Sequence, residues 1–226
     1  MGINTTLLAS VDSSVGGKTA VDLPSGKNLA GAFHHPSLVL CDPDTLHTLP
    51  AEVLSDGFAE VIKYAVIGDS ELFSMLDAPN APDMESVIAR CVAQKARIVE
   101  EDETDRGVRK HLNFGHTAGH AIELRSHFGL MHGHGVAIGM VIATEYAIRL
   151  GLCPADVLPK LTELITKYSI PTKTDYGTAD LYKAATHDKK REGGHVDVVL
   201  PTGIGACMLK RIPLAELPDF LSGGRV

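Results

Sequence analysis

Residues 50–68, PAEVLSDGFAEVIKYAVIG, carry the clearest structural signal in the chain. Their apolar side chains recur at intervals of three and four residues, which is the spacing of one face of an α-helix. The side chains of this face are Val53, Leu54, Phe58, Val61, Ile62 and Ala65. Pro50 suits a first turn, where backbone N–H groups have no partner within the helix. The stretch therefore predicts a long helix with one face packed on a core.

The same periodicity continues beyond this stretch and indicates a mainly α protein. A second long helix is predicted over 83–101, and further helices over 111–126, 135–150, 155–168, 177–186 and 213–221. Short strands are predicted over 5–11 and 37–41. Two apolar segments, His195–Leu200 and Ala206–Leu209, flank a turn at Pro201–Gly203 and predict a hairpin. The expected fold is a helical domain with a few short strands near the N-terminus and a hairpin near the C-terminus.

Composition and charge narrow the class of protein. The chain has 226 residues, of which 44% are hydrophobic and 22% are charged, as expected for a globular protein with its own core. Its net charge of −7 argues against a nucleic-acid surface, which needs a basic face. No apolar run is long enough for a membrane span. The cysteines, Cys41, Cys91, Cys153 and Cys207, form no CxxC pair, which favours reduced thiols and a cytoplasmic protein.

Residues 12–19, DSSVGGKT, end like a nucleotide-binding P-loop but begin differently. The P-loop pattern needs a glycine where this chain has Asp12, and a carboxylate there would repel a phosphate. Pro24 and Gly26 also follow too soon for the long helix of a P-loop. A nucleotide P-loop is therefore disfavoured. The residues alone leave open a simple glycine turn in which Lys18 is solvated.

Histidines are concentrated in residues 109–134, RKHLNFGHTAGHAIELRSHFGLMHGH. His116 and His120 are four residues apart, so on a helix both rings would project from one face and could bind one metal ion. Thr117 stands where a zinc protease has its glutamate, which excludes the HExxH class. An isolated HxxxH pair is more often a core or surface pair than a metal site.

Glycines around these histidines favour a functional site. They are Gly115, Gly119, Gly129, Gly133 and Gly135. Each glycine in a helix interior costs about 1 kcal/mol relative to alanine, so it needs a compensating reason. The expected reason is the close approach of a substrate or of another backbone.

Glu60 and Lys63 form a charged pair on the first predicted helix. Their spacing of three residues places them on one helix face, where an ordinary surface ion pair would also occur. Their neighbours Phe58, Val61 and Ile62 are apolar, however. A charged pair in such surroundings is expected to be partly buried and to have a functional role.

Five blocks of sequence, taken in order, resemble 3-dehydroquinate synthase. They are DSSVGGKTAVDLPSGKNLAGAFHHP, LPAEVLSDGFAEVIKYA, RKHLNFGHTAGHAIE, HGHGVAIGM and HDKKREGGHVDVVLPTGIG, and they cover nearly the whole chain. The family converts 3-deoxy-D-arabino-heptulosonate 7-phosphate to 3-dehydroquinate in the shikimate pathway of aromatic amino acid biosynthesis. It uses NAD and a divalent metal, Zn²⁺ or Co²⁺. The resemblance implies a cytoplasmic, homodimeric lyase that binds a small sugar-acid phosphate and neither nucleic acid nor a membrane.

The resemblance also implies roles for individual residues. The metal ligands would be Glu60, His116 and His132. This set replaces the hypothesis that His120 is a ligand, and His120 would instead lie beside the metal or contact the substrate phosphate. Residues matched to substrate-binding positions are Lys18, Asn28, Lys63, Lys95, Arg109, Asn113, His120, Lys189 and Lys190, together with Asp188. Those also expected to be catalytic are Lys18, Lys63, Lys95, Arg109, Asn113 and His120. The cofactor-binding positions are Asp12, near the nicotinamide, Lys18 and Lys27.

Two departures from the family pattern leave alternatives open. Nothing before Asp12 resembles the dinucleotide-binding half of the family, so residues 1–48 are expected to be a remnant of the N-terminal α/β domain and 49–226 the helical metal- and substrate-binding domain. The chain alone is then expected to bind NAD weakly or not at all and to be inactive. His134 replaces the usual glutamate, as in related cyclases. The alternatives are another sugar phosphate cyclase, of the inosose or valiolone type, and a non-catalytic metal-binding remnant.

Overall fold

A computed structural model describes the chain over residues 1–23, 26–186 and 194–224, and side chains outside 22–29 within those ranges. Its helices are α1 (Ala51–Gly68), α2 (Ser70–Asp77), α3 (Met84–Glu101), α4 (His116–Arg125), α5 (His132–Arg149), α6 (Val157–Lys167), α7 (Thr178–Thr186) and α8 (Leu217–Phe220). The strands are β1 (Gly2–Asn4), β2 (Lys18–Leu23), β3 (Gly26–Phe33), β4 (Val39–Cys41), β5 (His195–Gly203) and β6 (Ala206–Pro213). The prediction of a mainly helical chain is confirmed.

The strands form three separate two-stranded sheets. β1 pairs in parallel with β4, so that Gly2 lies opposite Val39. β2 and β3 form an antiparallel hairpin, as do β5 and β6. The second hairpin turns at Ile204 and Gly205, where Gly205 has a φ of +83°, and not at the predicted Pro201–Gly203.

The prediction of a strand over 5–11 is wrong, because residues 7–13 are helical. Ser10 N donates to Thr6 O over 3.0 Å, and a π-helical turn follows over Ala9–Ser13. Leu7 and Val11 are four residues apart, and both are fully buried. Four-residue spacing of buried side chains belongs to a helix, whereas a strand would alternate.

Several helix boundaries also differ from prediction. The first part of the expected helix 111–126 is a 3₁₀ turn over Val108–Asn113. α4 begins only at His116, because Gly115 precedes it with a left-handed φ of +81°. α2 was not predicted, and it starts where the Asp69 carboxylate accepts a hydrogen bond from Leu72 N over 2.9 Å. α1 and α3 follow their predicted spans closely.

α5 is the central helix of the domain. It packs against α1, α4, α6 and β5, and most of its residues are buried. Among the described residues, no helix has both the length and the apolar character needed to cross a membrane. His116 and His132, two of the candidate functional histidines, are the first residues of α4 and α5.

α4 and α5 meet backbone to backbone through glycines. A Cβ atom on Gly139 would lie 1.9 Å from the Gly115 carbonyl oxygen, and one on Gly119 would lie 2.9 Å from the Gly135 oxygen. Neither distance leaves room for a side chain. Gly115, Gly119, Gly135 and Gly139 therefore serve the close approach of a second backbone.

We predict that Gly139→Ala lowers the free energy of unfolding by about 1–3 kcal/mol, because the new methyl group would force α4 and α5 apart. Gly203→Ala is the matched control, since a Cβ atom there meets nothing within 4 Å. It should change the free energy of unfolding by less than about 0.5 kcal/mol. Urea denaturation of both variants measures the difference, and equal stabilities would contradict the packing argument.

Candidate active site

Glu60, His116 and His132 converge from three helices. Glu60 Oε1 lies 3.8 Å from His116 Nε2 and 3.7 Å from His132 Nε2. Zinc binds oxygen and nitrogen ligands at about 2.0–2.2 Å, so ligand atoms less than about 4.2 Å apart can share one ion. Glu60 Oε1 is therefore close enough to each imidazole to share one ion with it.

The two imidazoles are held in place through their other ring nitrogen. His116 Nδ1 lies 3.1 Å from the Phe114 carbonyl oxygen, and His132 Nδ1 lies 3.5 Å from Glu123 Oε2. When Nδ1–H donates to these acceptors, Nε2 is left unprotonated and directed at Glu60. Metal-binding histidines are commonly oriented by such contacts.

The donor set also fits a cation on energetic grounds. Glu60 is 1% exposed, and its Oε1 has no hydrogen-bond partner among the described residues. A buried carboxylate oxygen without a partner is costly unless a cation satisfies it. Burial, followed by the nearby charges of Lys63 and the other histidines, holds the pKa of His116 well below its usual range. A neutral imidazole is the form that binds a metal ion. Burial would also lower the pKa of His132, but the carboxylates of Glu123 and Glu60 raise it, so the shift favours the neutral form at His116 alone.

His120 forms a second possible triad with the same two histidines. Ligand atoms of His116, His120 and His132 all lie within 4.8 Å of one another, and the three ring centroids are 5.3–5.7 Å apart. The residues alone suggested His116 and His120 as a ligand pair, before the resemblance implied Glu60, His116 and His132, and the structure brings His120 near both of the other histidines. Glu60 differs from His120 in being buried, whereas His120 is exposed.

A second cluster of charges adjoins the candidate metal ligands. Lys63 contacts Glu60 Oε2 on one side, and its Nζ lies 3.8 Å from Asp12 Oδ1 on the other. Lys95 Nζ lies 2.7 Å from the same oxygen, and Tyr64 donates its hydroxyl to it over 2.5 Å. Glu60 and Lys63 were predicted to be a partly buried pair, and both are buried more fully than that, at 1% exposed.

Opposing effects set the protonation of this cluster. Burial alone would raise the pKa of Asp12, but the ammonium groups of Lys63 and Lys95 hold it far below its usual range. Burial lowers the pKa of Lys95, and the Asp12 carboxylate opposes the change. Burial would also lower the pKa of Lys63, but the carboxylates of Asp12 and Glu60 raise it. The cluster therefore has two negative and two positive charges that compensate one another.

Lys18 and Arg109 connect β2 and the glycine turn before it to the segment that follows α3. Lys18 pairs with Asp105, and its side chain is 52% exposed. Arg109 is buried, and its guanidinium donates to the carbonyl oxygens of Gly16 and Glu103, each over 2.6 Å. Arg109 therefore ties the glycine turn of DSSVGGKT to the helical domain.

Asn113 and His120 line a cavity of about 340 Å³ together with His116, Thr117 and Asp197. A larger opening of about 1010 Å³ lies between residues 42–54 and 79–85, and none of the predicted site residues line it. The smaller cavity is therefore the one that adjoins the candidate ligands.

The side chains of five predicted site residues lie outside the described part of the chain. Lys27 and Asn28 lie on β3, but their side chains fall outside the described part of the chain, and Lys189 and Lys190, with Asp188, lie outside the described residues. Sequence reasoning also missed three residues that the structure brings into contact with the site. Asp105 pairs with Lys18, Tyr64 with Asp12, and Glu123 with His132. Glu123 could have been noticed as an acid between apolar residues of a helix, whereas the contacts of the others depend on tertiary structure.

Comparison with known proteins gives the family. A model described as 3-dehydroquinate synthase N-terminal matches residues 1–56, and one described as 3-dehydroquinate synthase C-terminal matches residues 57–191. The 3-dehydroquinate synthase of Streptococcus sanguinis is 44% identical over 97% of this chain, and that of Enterococcus faecalis is 42% identical over 97%. The chain belongs to the 3-dehydroquinate synthase family.

Solved structures of related cyclases have the same fold. The 2-epi-5-epi-valiolone synthase of Streptomyces hygroscopicus, with NAD⁺ and Zn²⁺ bound, matches with a TM-score of 0.85 and 28% identity over 97% of this chain and 64% of that chain. A 2-deoxy-scyllo-inosose synthase complexed with carbaglucose-6-phosphate, NAD⁺ and Co²⁺ matches with a TM-score of 0.84 and 28% identity over 98% of this chain and 66% of that one. The chain spans 64% and 63% of the lengths of the two synthases from Streptococcus and Enterococcus.

Zinc content distinguishes the two candidate ligand sets. We predict that Glu60→Gln, His116→Ala and His132→Ala each abolish stoichiometric zinc binding, while His120→Ala retains about one zinc ion per chain, the stoichiometry of a single metal site. Loss of one of three protein ligands leaves too few for tight binding. Elemental analysis measures the zinc content of each variant, and circular dichroism establishes that the variant is folded. Retention by Glu60→Gln with loss in His120→Ala would assign the site to the three histidines.

Proposed function

We propose that the chain provides the metal- and substrate-binding part of a 3-dehydroquinate synthase, which converts 3-deoxy-D-arabino-heptulosonate 7-phosphate to 3-dehydroquinate with release of phosphate. The observation that carries this proposal is the convergence of Glu60, His116 and His132 beside the cluster of Asp12, Lys63 and Lys95. Membership of the family supports the choice of reaction. The relatives with bound NAD⁺ and Zn²⁺ or Co²⁺ support the choice of cofactors.

The charge balance of the site suits an anionic substrate. The protein has a net charge of −7, so a sugar-acid phosphate needs a local region that attracts anions. Asp12 and Glu60 compensate Lys63 and Lys95, so a divalent cation between the proposed ligands would leave the site with two net positive charges. The metal and the neighbouring cations together would then offset the charge of the substrate.

The proposed cofactors supply chemistry that the side chains lack. A bound divalent ion would lower the pKa of the hydroxyls that it coordinates, and NAD would accept and return a hydride. Lys63 and Lys95 would hold the substrate in one conformation, because their ammonium groups are already fixed by Asp12. Positioning of this kind reduces the entropy that is lost when the reacting groups are aligned in the transition state. The substrate phosphate itself would serve as the base for much of the proton transfer.

The remaining proposed roles follow the resemblance to the family. Lys18, Arg109, Asn113 and His120 are proposed to bind the substrate, and the cavity beside Asn113 and His120 supports a place for its phosphate. The division of the chain at residue 48, the homodimer and the cytoplasmic location stay predictions. The roles of Lys27, Asn28, Lys189 and Lys190 also stay predictions.

A cyclase of another specificity is the second candidate. His134 favours it, since this residue replaces the glutamate usual in the synthase. The geometry argues for a structural role instead, because His134 is 8% exposed and its Nε2 lies 3.0 Å from Ser55 Oγ. A side chain held in this way is poorly available to select a substrate.

Phosphate release separates the two candidates. We predict that the chain, assayed with Zn²⁺ and NAD⁺ together with the part of a relative that it does not span, releases phosphate from 3-deoxy-D-arabino-heptulosonate 7-phosphate and not from glucose 6-phosphate, which lacks a carboxylate. Release from glucose 6-phosphate alone would favour an inosose-type cyclase. The same assay without that part of the relative should show no release, because the chain alone is expected to be inactive. If the chain binds zinc but releases phosphate from neither substrate in both assays, the non-catalytic alternative is supported.

A further inference from the structure

The N-terminus of α5 is capped by a distant residue. Met131, which precedes the helix, contributes no side-chain hydrogen bond. Instead, Asp56 of α1 accepts hydrogen bonds through Oδ1 from Gly133 N over 2.6 Å and His134 N over 3.3 Å. A carboxylate at this position satisfies N–H groups that have no helical partner and interacts favourably with the helix dipole.

The cap lies beside two of the proposed metal ligands. Asp56 precedes Glu60 by about one turn of α1, and Gly133 follows His132 directly at the start of α5. The two helices are in close contact here, since a Cβ atom on Gly133 would lie 2.1 Å from the Asp56 carbonyl oxygen. The hydrogen bond between Ser55 and His134 provides a second link across the same junction.

We propose that Asp56, assisted by Ser55, is a positioning residue that fixes the separation of Glu60 and His132 and thereby sets the affinity of the site for its metal ion. This inference rests on the metal site of the proposed function. Its physical basis is that a metal site tolerates ligand displacements of only about 0.5 Å. The first turn of a helix is also where the chain frays most readily when its N–H groups lose their partners.

The inference assigns Asp56 a role that an ordinary helix cap does not have. Asp83 provides the comparison, because its Oδ2 caps α3 locally by accepting from Ser86 N over 3.1 Å. Both residues stabilise a helix N-terminus, but only Asp56 joins the helices that carry Glu60 and His132. Loss of either cap should reduce stability, whereas only loss of the Asp56 cap should weaken metal binding.

The test is zinc affinity, measured by competition with a chromophoric chelator, together with the visible spectrum of bound Co²⁺. We expect Asp56→Ala to weaken zinc binding by about 10-fold or more, the lower end of the range for residues that orient metal ligands, and to change the Co²⁺ spectrum. Asp56→Asn keeps an acceptor oxygen of the same reach, so it should restore affinity to within about threefold of the wild type. Asp83→Ala should leave both readouts unchanged.

Each outcome decides the inference. Wild-type zinc affinity and an unchanged Co²⁺ spectrum in Asp56→Ala would overturn it, and so would an equal loss in Asp83→Ala. If Asp56→Ala does not fold, Ser55→Ala tests the same junction and should weaken zinc binding by about threefold, part of the energy of one neutral hydrogen bond. Unchanged affinity in that variant would then overturn the inference. Failure of the wild type to bind zinc would instead contradict the metal site of the proposed function.

Discussion

The contact between the backbones of α4 and α5 is the constraint on which the candidate site depends. Gly115 and Gly139, and likewise Gly119 and Gly135, allow an approach that any side chain would prevent. His116 and His132 are the first residues of these two helices, so their separation follows from how the helices cross. A site that needs its ligands within about 0.5 Å of the required positions cannot tolerate variation in this crossing.

Electrostatics explains how such a site persists inside an acidic protein. Glu60 is buried beside Lys63, and Asp12 is surrounded by Lys63, Lys95 and Tyr64. Each buried charge has a partner of opposite sign, which reduces the cost of removing it from water. Glu60 Oε1 is one of the buried polar atoms without a hydrogen-bond partner among the described residues, and it faces both histidines. A cation bound between Glu60 and the two histidines would satisfy this oxygen.

Much of the fold and of the candidate site could be predicted from the sequence, and the predictions that failed did so for physical reasons. The periodicity of α1 and α3 predicted their spans, and the apolar neighbours of Glu60 predicted its burial. Leu7 and Val11 were assigned to a strand because a short apolar segment has too few repeats to separate a helix from a strand. The glycines indicated a close approach without identifying the partner. The Asp56 cap spans 77 residues, so no local pattern could reveal it.

The most direct test of the central claim is an anomalous diffraction map of crystals grown with zinc, recorded at the zinc absorption edge. The account predicts one peak at about 2.0–2.2 Å from Glu60 Oε1 and from Nε2 of His116 and His132. A peak bound by the three histidines without Glu60 would contradict the ligand set. A structure in which α4 and α5 lie too far apart for His116 and His132 to share an ion would contradict the claim that their glycine contact builds the site.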